Sequence, residues 1–432
     1  MSGSIPFHWR SALAAMGSLA AISGCAHPLI EDGVIREGPM REIVANTVRA
    51  RAIEPEGSIA ARSVNRDELR AILAEELGQW KTPAELADYQ RALVALGLWP
   101  AGRELLAEAL AIYAEAVVGV YLPAREELLL VSDADAPRGL AFLSAALRRD
   151  SQTEFALSHE IIHLLQHQAY PELMDPDQLP TDSDDLETAI QAALEGDAIR
   201  FGFDAVGRQA PAPSDWTAMV DGLNSAPKGS ALADAPALIR LTLGFPYARG
   251  YALAWNEEFR LLESPPISTE QVMHDDRRRE AFWQIDLAEL EDRLPLGCRT
   301  LQRNTAGELL ISVLFRDLSQ SPDPALWQGW NGDRYLVADC AGRTEWVWWT
   351  AWDSESDAAE FADAYRELAP AVAARAGSAV PAATRTHATY VVVTSGGFAR
   401  EASQPPPPAT RVADLATLKA LLRSGEKRAV SE

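Results

Sequence analysis

The feature that most constrains this chain is the stretch "LSHEIIHLLQHQ" (Leu157–Gln168), which holds three of its seven histidines. His159 and His163 are four residues apart, so on an α-helix they lie on one face, one turn apart, and can bind the same metal ion. Glu160 projects beside them, where it can take a proton from an activated water molecule. This HExxH pattern predicts a helix that carries a site for one zinc ion together with a general base.

The same helix is predicted to have two different sides. At about 100° per residue, the motif residues fall on one side together with Ala156 and His167, whereas the opposite side is aliphatic. The aliphatic residues are Leu157, Ile161, Leu164 and Leu165. One face is therefore expected to be free for chemistry while the other packs into the core.

The third metal ligand must come from outside the motif helix. An α-helix rises about 6 Å in four residues, so His159 and His167 are about 12 Å apart along the axis and cannot share an ion. A helix break that returns a later histidine, as in HExxHxxGxxH, is excluded because Gln166 and Ala169 occupy the glycine and histidine positions. The four other histidines stand alone; they are His8, His27, His274 and His387.

Carboxylates of the next helix, "ETAIQAALEGDAIRF" (Glu187–Phe201), are the remaining candidates. This helix is apolar almost all round, so buried acids in it need partners. Glu195 and Asp197 are about 200° apart on the helix, and only one of them can face the ion. We favour Glu195 as the ligand, with Asp197 orienting a ligand histidine or pairing with Arg200. Two histidines and one glutamate leave a fourth position open for water, as catalytic zinc sites do.

Taken together, "ALSHEIIHLLQHQ" and "AALEGDA" resemble a largely uncharacterised bacterial and archaeal family of HExxH proteins related to the Glu-ligand zincins. Further similar segments cover most of residues 85–395; they are "VVGVYLPAREELLLVS", "FPYARGYALA", "PPISTEQVMH", "GWNGDRYLV" and "WDSESDAAEFADAY". The resemblance implies a zincin-like core with His159, His163 and Glu195 as ligands and Glu160 as base. This chain departs from the family at His167, where members usually carry an acid.

The expected fold class is α+β, helix-rich, with a small antiparallel sheet beside the HExxH helix. The sheet is predicted from "GVYLPAREELLLVSD" (Gly119–Asp133), which has the pattern of a strand-turn-strand hairpin. In zincins, a strand beside the metal helix pairs with an extended substrate. Leu128–Val131 is the candidate for that edge, although an ordinary buried strand is an equally good interpretation.

Five residues are candidates to stabilise a developing oxyanion or to bind substrate. They are Tyr247, Tyr251, His274, Arg334 and Tyr335. Their structural alternatives include core packing for the tyrosine of the "FPY" turn, a helix-end position for His274, and an ion pair with the preceding Asp333 for Arg334.

The N-terminus has the features of a lipoprotein signal. Arg10 is followed by the short apolar run Ser11–Ile22 and then by Cys25, which is preceded by small residues. We expect residues 1–24 to be removed and lipid on Cys25 to anchor the chain in the bacterial cell envelope, facing the periplasm or the cell surface. A plain secretory signal is the alternative. The formal net charge of −23 argues against a nucleic-acid partner.

In an exported protein, Cys298 and Cys340 are expected to form a disulfide, with two free buried thiols as the alternative. The aromatic segment "EWVWWTAWDS" (Glu345–Ser354) predicts a strand with both faces covered. Its alternative is an exposed aromatic strip that binds a partner.

The predicted organisation has five parts. They are a signal peptide at 1–24, a tether at 25–60, a zincin-like core at 61–206, a mixed α/β part at 207–395 packed on that core, and a Pro-rich linker with a terminal helix at 396–432. The predicted function is a membrane-anchored zinc peptidase that acts on peptides or proteins. The alternatives are an envelope scaffold or binding lipoprotein that keeps a zinc site without catalysis, and a metal-free interaction module that uses the Trp-rich segment.

Overall fold

The computed structural model describes residues 29–80, 82–132, 149–175, 178–180, 182–221, 231–257, 260–378 and 380–430. The predicted signal peptide and Cys25 lie outside these ranges. Within them, no helix combines the length and the apolar composition needed to span a bilayer.

The described residues form a mixed α+β fold. The helices before residue 206 are α1 (Glu37–Arg51), α2 (Arg66–Trp80), α3 (Pro83–Ala95), α4 (Leu105–Ala116), α5 (Arg149–Ala169), α6 (Pro171–Met174) and α7 (Asp184–Ala205). The later helices are α8 (Pro213–Asp221), α9 (Ala237–Leu243), α10 (Phe245–Glu257), α11 (Thr269–Met273), α12 (Ala288–Asp292), α13 (Gly307–Leu318), α14 (Glu355–Arg375) and α15 (Leu415–Val430).

The strands form four small sheets. They are β1 (Ile30–Glu31), β2 (Val34–Ile35), β3 (Ala61–Val64), β4 (Gly119–Leu122), β5 (Glu127–Val131), β6 (Phe282–Ile285), β7 (Cys298–Asn304), β8 (Trp330–Cys340), β9 (Arg343–Trp352), β10 (Ala383–His387), β11 (Tyr390–Thr394) and β12 (Ala409–Val412). The sheet orders are β1-β2, β3-β5-β4, β12-β6 and β10-β11-β9-β8-β7. The sheet beside the motif helix is mixed, because β4 pairs antiparallel and β3 pairs parallel with β5.

Helix α7 lies at the centre of the fold and is buried along nearly its whole length. It packs against α1, α5 and α10. Two glycines allow α7 and α10 to cross closely: a Cβ added at Gly196 would lie 1.9 Å from the carbonyl oxygen of Gly250, and one at Gly250 equally close to that of Ala192. This contact brings α10 against the residues next to Glu195.

The five-stranded antiparallel sheet confirms two predictions. Cys298 of β7 and Cys340 of β8 are directly opposite each other and form the disulfide. The tryptophans of β9 are buried on both faces, with Trp349 on the side opposite to the others, which are Trp346, Trp348 and Trp352. The segment is therefore not an exposed aromatic strip.

Two predicted terminal segments contain an element that the sequence analysis did not predict. Fifteen residues of the expected tether form helix α1, because Met40, Ile43, Thr47 and Arg51 recur on one face and are buried against the core. At the other end, the Pro-rich linker leads into β12, which pairs with β6. Both segments belong to the folded body.

Candidate metal centre

The motif helix α5 is enclosed on every side. All residues from Phe155 to Gln166 are buried, and the three motif side chains are 0–1% exposed. The prediction of a face open for chemistry is therefore wrong, because α1, α7 and β4 cover the helix. The charged and polar motif residues must then be satisfied by one another or by a ligand.

The three predicted metal ligands converge. The Nε2 atoms of His159 and His163 are 3.0 Å apart, and Oε2 of Glu195 lies 3.0 Å from the first and 3.5 Å from the second. They form a group that can hold a metal ion. In a tetrahedral zinc site with bonds of about 2.0–2.1 Å, donor atoms are about 3.3 Å apart, so these residues fit the ion.

A buried chain of contacts fixes the orientation of His163. Its Nδ1 is 2.8 Å from Oε1 of Gln166, and Nε2 of Gln166 donates to Oδ2 of Asp197 at 2.7 Å. Arg51 donates to the same oxygen at 2.7 Å. The glutamine oxygen can only accept, so Nδ1 carries the proton and Nε2 presents its lone pair to the metal position. Asp197 thus acts on the histidine through Gln166, while Arg200 pairs with Asp204 instead.

Glu160 is held at one oxygen only. The backbone N–H of Tyr121 in β4 donates to its Oε2 at 2.8 Å. Its Oε1 is buried, and no described residue provides a hydrogen-bond partner for it. Gly119 makes room for this side chain, because a Cβ there would lie 3.0 Å from Cγ of Glu160. One oxygen is therefore anchored and the other is free to exchange a proton.

Burial and the neighbouring charges shift the pKa values of these groups. Burial raises the pKa of Glu160 to about 8, against the opposing effect of His163. Burial would also raise the pKa of Glu195, but His163 and His159 outweigh it and lower the value to about 2. The pKa of His159 is lowered by burial, whereas Glu195 overcomes burial at His163 and raises its pKa to about 9. Glu195 is therefore the ionised carboxylate of the group.

Only one of the five predicted oxyanion candidates contacts the ligands. The hydroxyl of Tyr247 donates to Oε1 of Glu195 at 3.0 Å. Tyr251, one turn further along α10, donates instead to the carbonyl of Pro211 at 2.7 Å.

The other three candidates take part in a separate buried polar region. His274 is 2.8 Å from Glu308, and Arg334 donates to Asp182. Tyr335 is buried on β8. Burial, together with the nearby Asp184 and Asp333, raises the pKa of its hydroxyl. Arg334 therefore pairs with the distant Asp182, whereas Asp333, the partner suggested by the sequence, accepts hydrogen bonds from other residues.

The two remaining predictions near the motif differ in outcome. His167 is outside the ligand group, as the helix rise predicts; its Nδ1 is 2.9 Å from the hydroxyl of Tyr121. The edge-strand prediction for Leu128–Val131 is wrong, because β5 is paired on both sides. The strand at the edge beside the motif is β4.

Sequence reasoning missed four supporting residues. Gln166 had a usable signal, since it lies three residues after His163 on the same helix. Gly196 and Gly250 mark the close crossing that brings Tyr247 to Glu195. The pairing of Arg51 with Asp197 had no local signal.

Comparison with known proteins adds one finding. A family model described as a domain of unknown function (DUF8575) matches residues 293–404. This region contains the five-stranded sheet, α13 and α14, but none of the three candidate metal ligands. No curated protein and no solved structure matches the chain.

Proposed function

We propose that this protein is a zinc-dependent, zincin-like peptidase. The observation that carries the proposal is the convergence of His159, His163 and Glu195 beside a carboxylate, Glu160, with one unpartnered oxygen. Two histidines and a glutamate leave room for a non-protein ligand. The lipoprotein-like sequence before Cys25 supports a lipid-anchored location in the bacterial envelope as part of the same proposal.

Zinc bound by these residues would act as a Lewis acid on a peptide carbonyl and would lower the pKa of water. In its ionised form, Glu160 takes at Oε1 the proton that water loses as the water oxygen bonds to the carbonyl carbon. Glu160 then gives this proton to the leaving amine when the C–N bond breaks. Tyr121 keeps the carboxylate in place through its backbone N–H.

Two further groups have roles in this proposal. The hydroxyl of Tyr247 is close enough to the ligand group to stabilise negative charge on the substrate oxygen after releasing Glu195. The edge strand β4 replaces β5 as the candidate for pairing with an extended substrate.

The test combines metal analysis with one substitution. Purified protein should bind one zinc ion per chain and cleave peptides in a diverse library. Glu160→Gln should keep that zinc and lower cleavage by about 10²–10⁴-fold. Equal cleavage by Glu160→Gln and wild type would disprove the role of Glu160.

One observation favours a second candidate, an envelope scaffold that keeps a zinc site without catalysis. The three ligands and Glu160 are all 0–1% exposed, as structural zinc sites often are. A zinc-loaded chain that cleaves no peptide, and that unfolds when zinc is removed by a chelator, would support this alternative.

A further inference from the structure

A cavity of about 370 Å³ lies between α3, α4, α9 and the first turns of α7. Its wall is mainly aliphatic and includes Leu86, Ala109, Ile112, Leu238 and Leu243. Its outer rim includes the exposed residues Pro83 and Ala87. Such a volume lies within the range of sites that hold small ligands or side chains.

Helix α7 runs from the cavity towards the candidate metal ligands. Thr188 lines the cavity. Gln191 and Glu195 follow three and seven residues later, and at about 100° per residue all three lie within one side of the helix. Seven residues correspond to about 10 Å of helix rise, so this is the distance along α7 from the cavity to the ligand Glu195.

The helices that form two other walls of the cavity are also followed by residues of the candidate metal centre. Helix α4 ends at Ala116 and is followed by β4, whose Tyr121 holds Glu160. Helix α9 ends at Leu243, four residues before Tyr247. Tyr113 of the cavity wall and Tyr247 belong to one hydrophobic cluster. Three of the helices that line the cavity therefore connect it to the candidate metal centre.

Gln191 is the unusual residue between the cavity and the metal centre. Its side chain is fully buried, and neither its Oε1 nor its Nε2 has a hydrogen-bond partner in the described parts of the chain. A buried amide left without partners is unfavourable, because it has lost its hydrogen bonds to water and gained none in the protein. This unsatisfied amide lies one helical turn from the candidate metal ligand Glu195. Its position points to a bound molecule that forms hydrogen bonds with both side-chain atoms of Gln191.

We propose that the cavity is a specificity site for a bulky apolar side chain of the peptide substrate, and that Gln191 binds a peptide group between that side chain and the cleaved bond. The inference rests on the proposed peptidase function. An extended peptide advances about 3.3 Å per residue, so the cavity receives a side chain about three residues from the cleaved bond. A peptide group offers one donor and one acceptor, which match the two atoms of Gln191, whereas a plain acyl chain would leave both unsatisfied.

The test fills the cavity and leaves the metal centre intact. Ala109→Phe places a ring in the cavity, and Ala107→Phe is the matched control on the exposed side of α4. With the zinc-loaded full chain, library cleavage should show a preference for apolar residues about three positions from the cleaved bond. Ala109→Phe should lower kcat/KM for these peptides by about 10–100-fold, with zinc content unchanged, and Ala107→Phe should not.

Gln191→Leu tests the second half of the proposal. It should lower kcat/KM for all cleaved peptides, with the apolar preference and the zinc content retained. The variant should be at least as stable as wild type, because an unsatisfied amide is replaced by an apolar group of similar shape. A loss of stability with unchanged kinetics would show that Gln191 is structural and overturn its role.

A binding measurement separates this inference from the proposed function. The fluorescent probe 8-anilinonaphthalene-1-sulfonate should bind Glu160→Gln protein, and peptides with apolar side chains should displace it, unless Ala109→Phe is also present. Cleavage without the apolar preference would overturn the inference and leave the peptidase standing. No cleavage would overturn the peptidase, and the cavity assignment would still hold if apolar peptides displaced the probe. Displacement of the probe by dodecanoate but not by peptides would overturn the assignment of the cavity to a peptide side chain, in favour of a lipid ligand.

Discussion

Two buried carboxylates, Glu160 beside the candidate metal ligands and Asp333 in strand β8 of the five-stranded sheet, differ in how many hydrogen bonds their oxygens accept. Asp333 accepts four hydrogen bonds, whereas Glu160 accepts one and has an oxygen with no partner in the described ranges. The four donors to Asp333 are the backbone N–H groups of Ala306 and Gly307 and the indole N–H groups of Trp330 and Trp348. A buried carboxylate whose two oxygens both accept hydrogen bonds stabilises the fold, whereas one with an unpartnered oxygen is available for chemistry.

The comparison separates the candidate site from segments that looked equally distinctive in the sequence. The segment "GWNGDRYLV" around Asp333 joins β8 to the start of α13 through that carboxylate. Burial raises the pKa of Asp333, and its four hydrogen bonds oppose the shift. We infer that this segment has a structural role, as have His274 in its contact with Glu308 and Arg334 in its ion pair with Asp182.

The largest expected effect is on stability. Asp333→Asn places an amide NH₂ among N–H donors, so the free energy of unfolding should fall by about 3–5 kcal/mol. Glu160→Gln should not lower it, because that side chain makes one hydrogen bond and its carboxylate is costly to bury. Urea unfolding followed by tryptophan fluorescence measures both. Equal losses in the two variants would remove the distinction between the two acids.

Asp185 on α7 is another buried acid outside the candidate metal centre, and it tests the comparison of Glu160 with Asp333. Thr269 donates to its Oδ1 at 2.8 Å, but its Oδ2 is buried without a partner among the residues that the structure describes. Burial raises its pKa to about 7. The folded-state pKa lies above the unfolded value of about 3.9, so the contribution to stability is complete below pH 4 and is lost as pH rises to about 7.

The expected loss across this pH range is at most about 4 kcal/mol. Asp185→Asn should remove this part of the pH dependence, so the difference in unfolding free energy between variant and wild type should change between pH 4 and pH 7. A constant difference would show that Asp185 does not titrate in this range.

Features with a local cause could be predicted from the sequence. The capping box at Thr82 and Glu85, which begins α3, has a local sequence signal in the spacing of these two residues. The helical spacing of His159 and His163 brought the two imidazoles together. The apolar surroundings of Glu195 indicated that its carboxylate would need a partner inside the protein. Each of these depends on residues within one or two helical turns.

Contacts between distant parts of the chain could not be predicted. Arg51 and Asp197 are 146 residues apart, and the polar composition around α1 hid its buried face. The pairing order of β3, β5 and β4 decides which strand is at the edge, and hairpin periodicity does not determine that order. The backbone donor of Tyr121 to Glu160 depends on the same order.

The supporting contacts of the metal centre should matter less than its ligands. Arg51→Met removes the cation that pairs with Asp197 and should weaken zinc binding by about 10–100-fold, because Asp197 orients Gln166 and through it His163. Arg49→Met is the matched control, since Arg49 is exposed on the same helix. Competition with a zinc chelator measures the affinity. An equal effect of both variants would mean that general charge, not this contact, supports the ion.

The smallest expected effect concerns two tyrosines one turn apart on α10. Tyr247→Phe removes a hydrogen bond to Glu195, and Tyr251→Phe removes one to the carbonyl of Pro211. If Tyr247 stabilises charge on the substrate, its loss should lower kcat/KM by about tenfold with zinc content unchanged, because a hydrogen bond to a charged group contributes about 1.5–3 kcal/mol. Tyr251→Phe should leave kcat/KM within a factor of two. A loss of zinc in Tyr247→Phe would instead make this hydroxyl a support of the ligand Glu195, and the difference between the two tyrosines would then concern metal binding rather than catalysis.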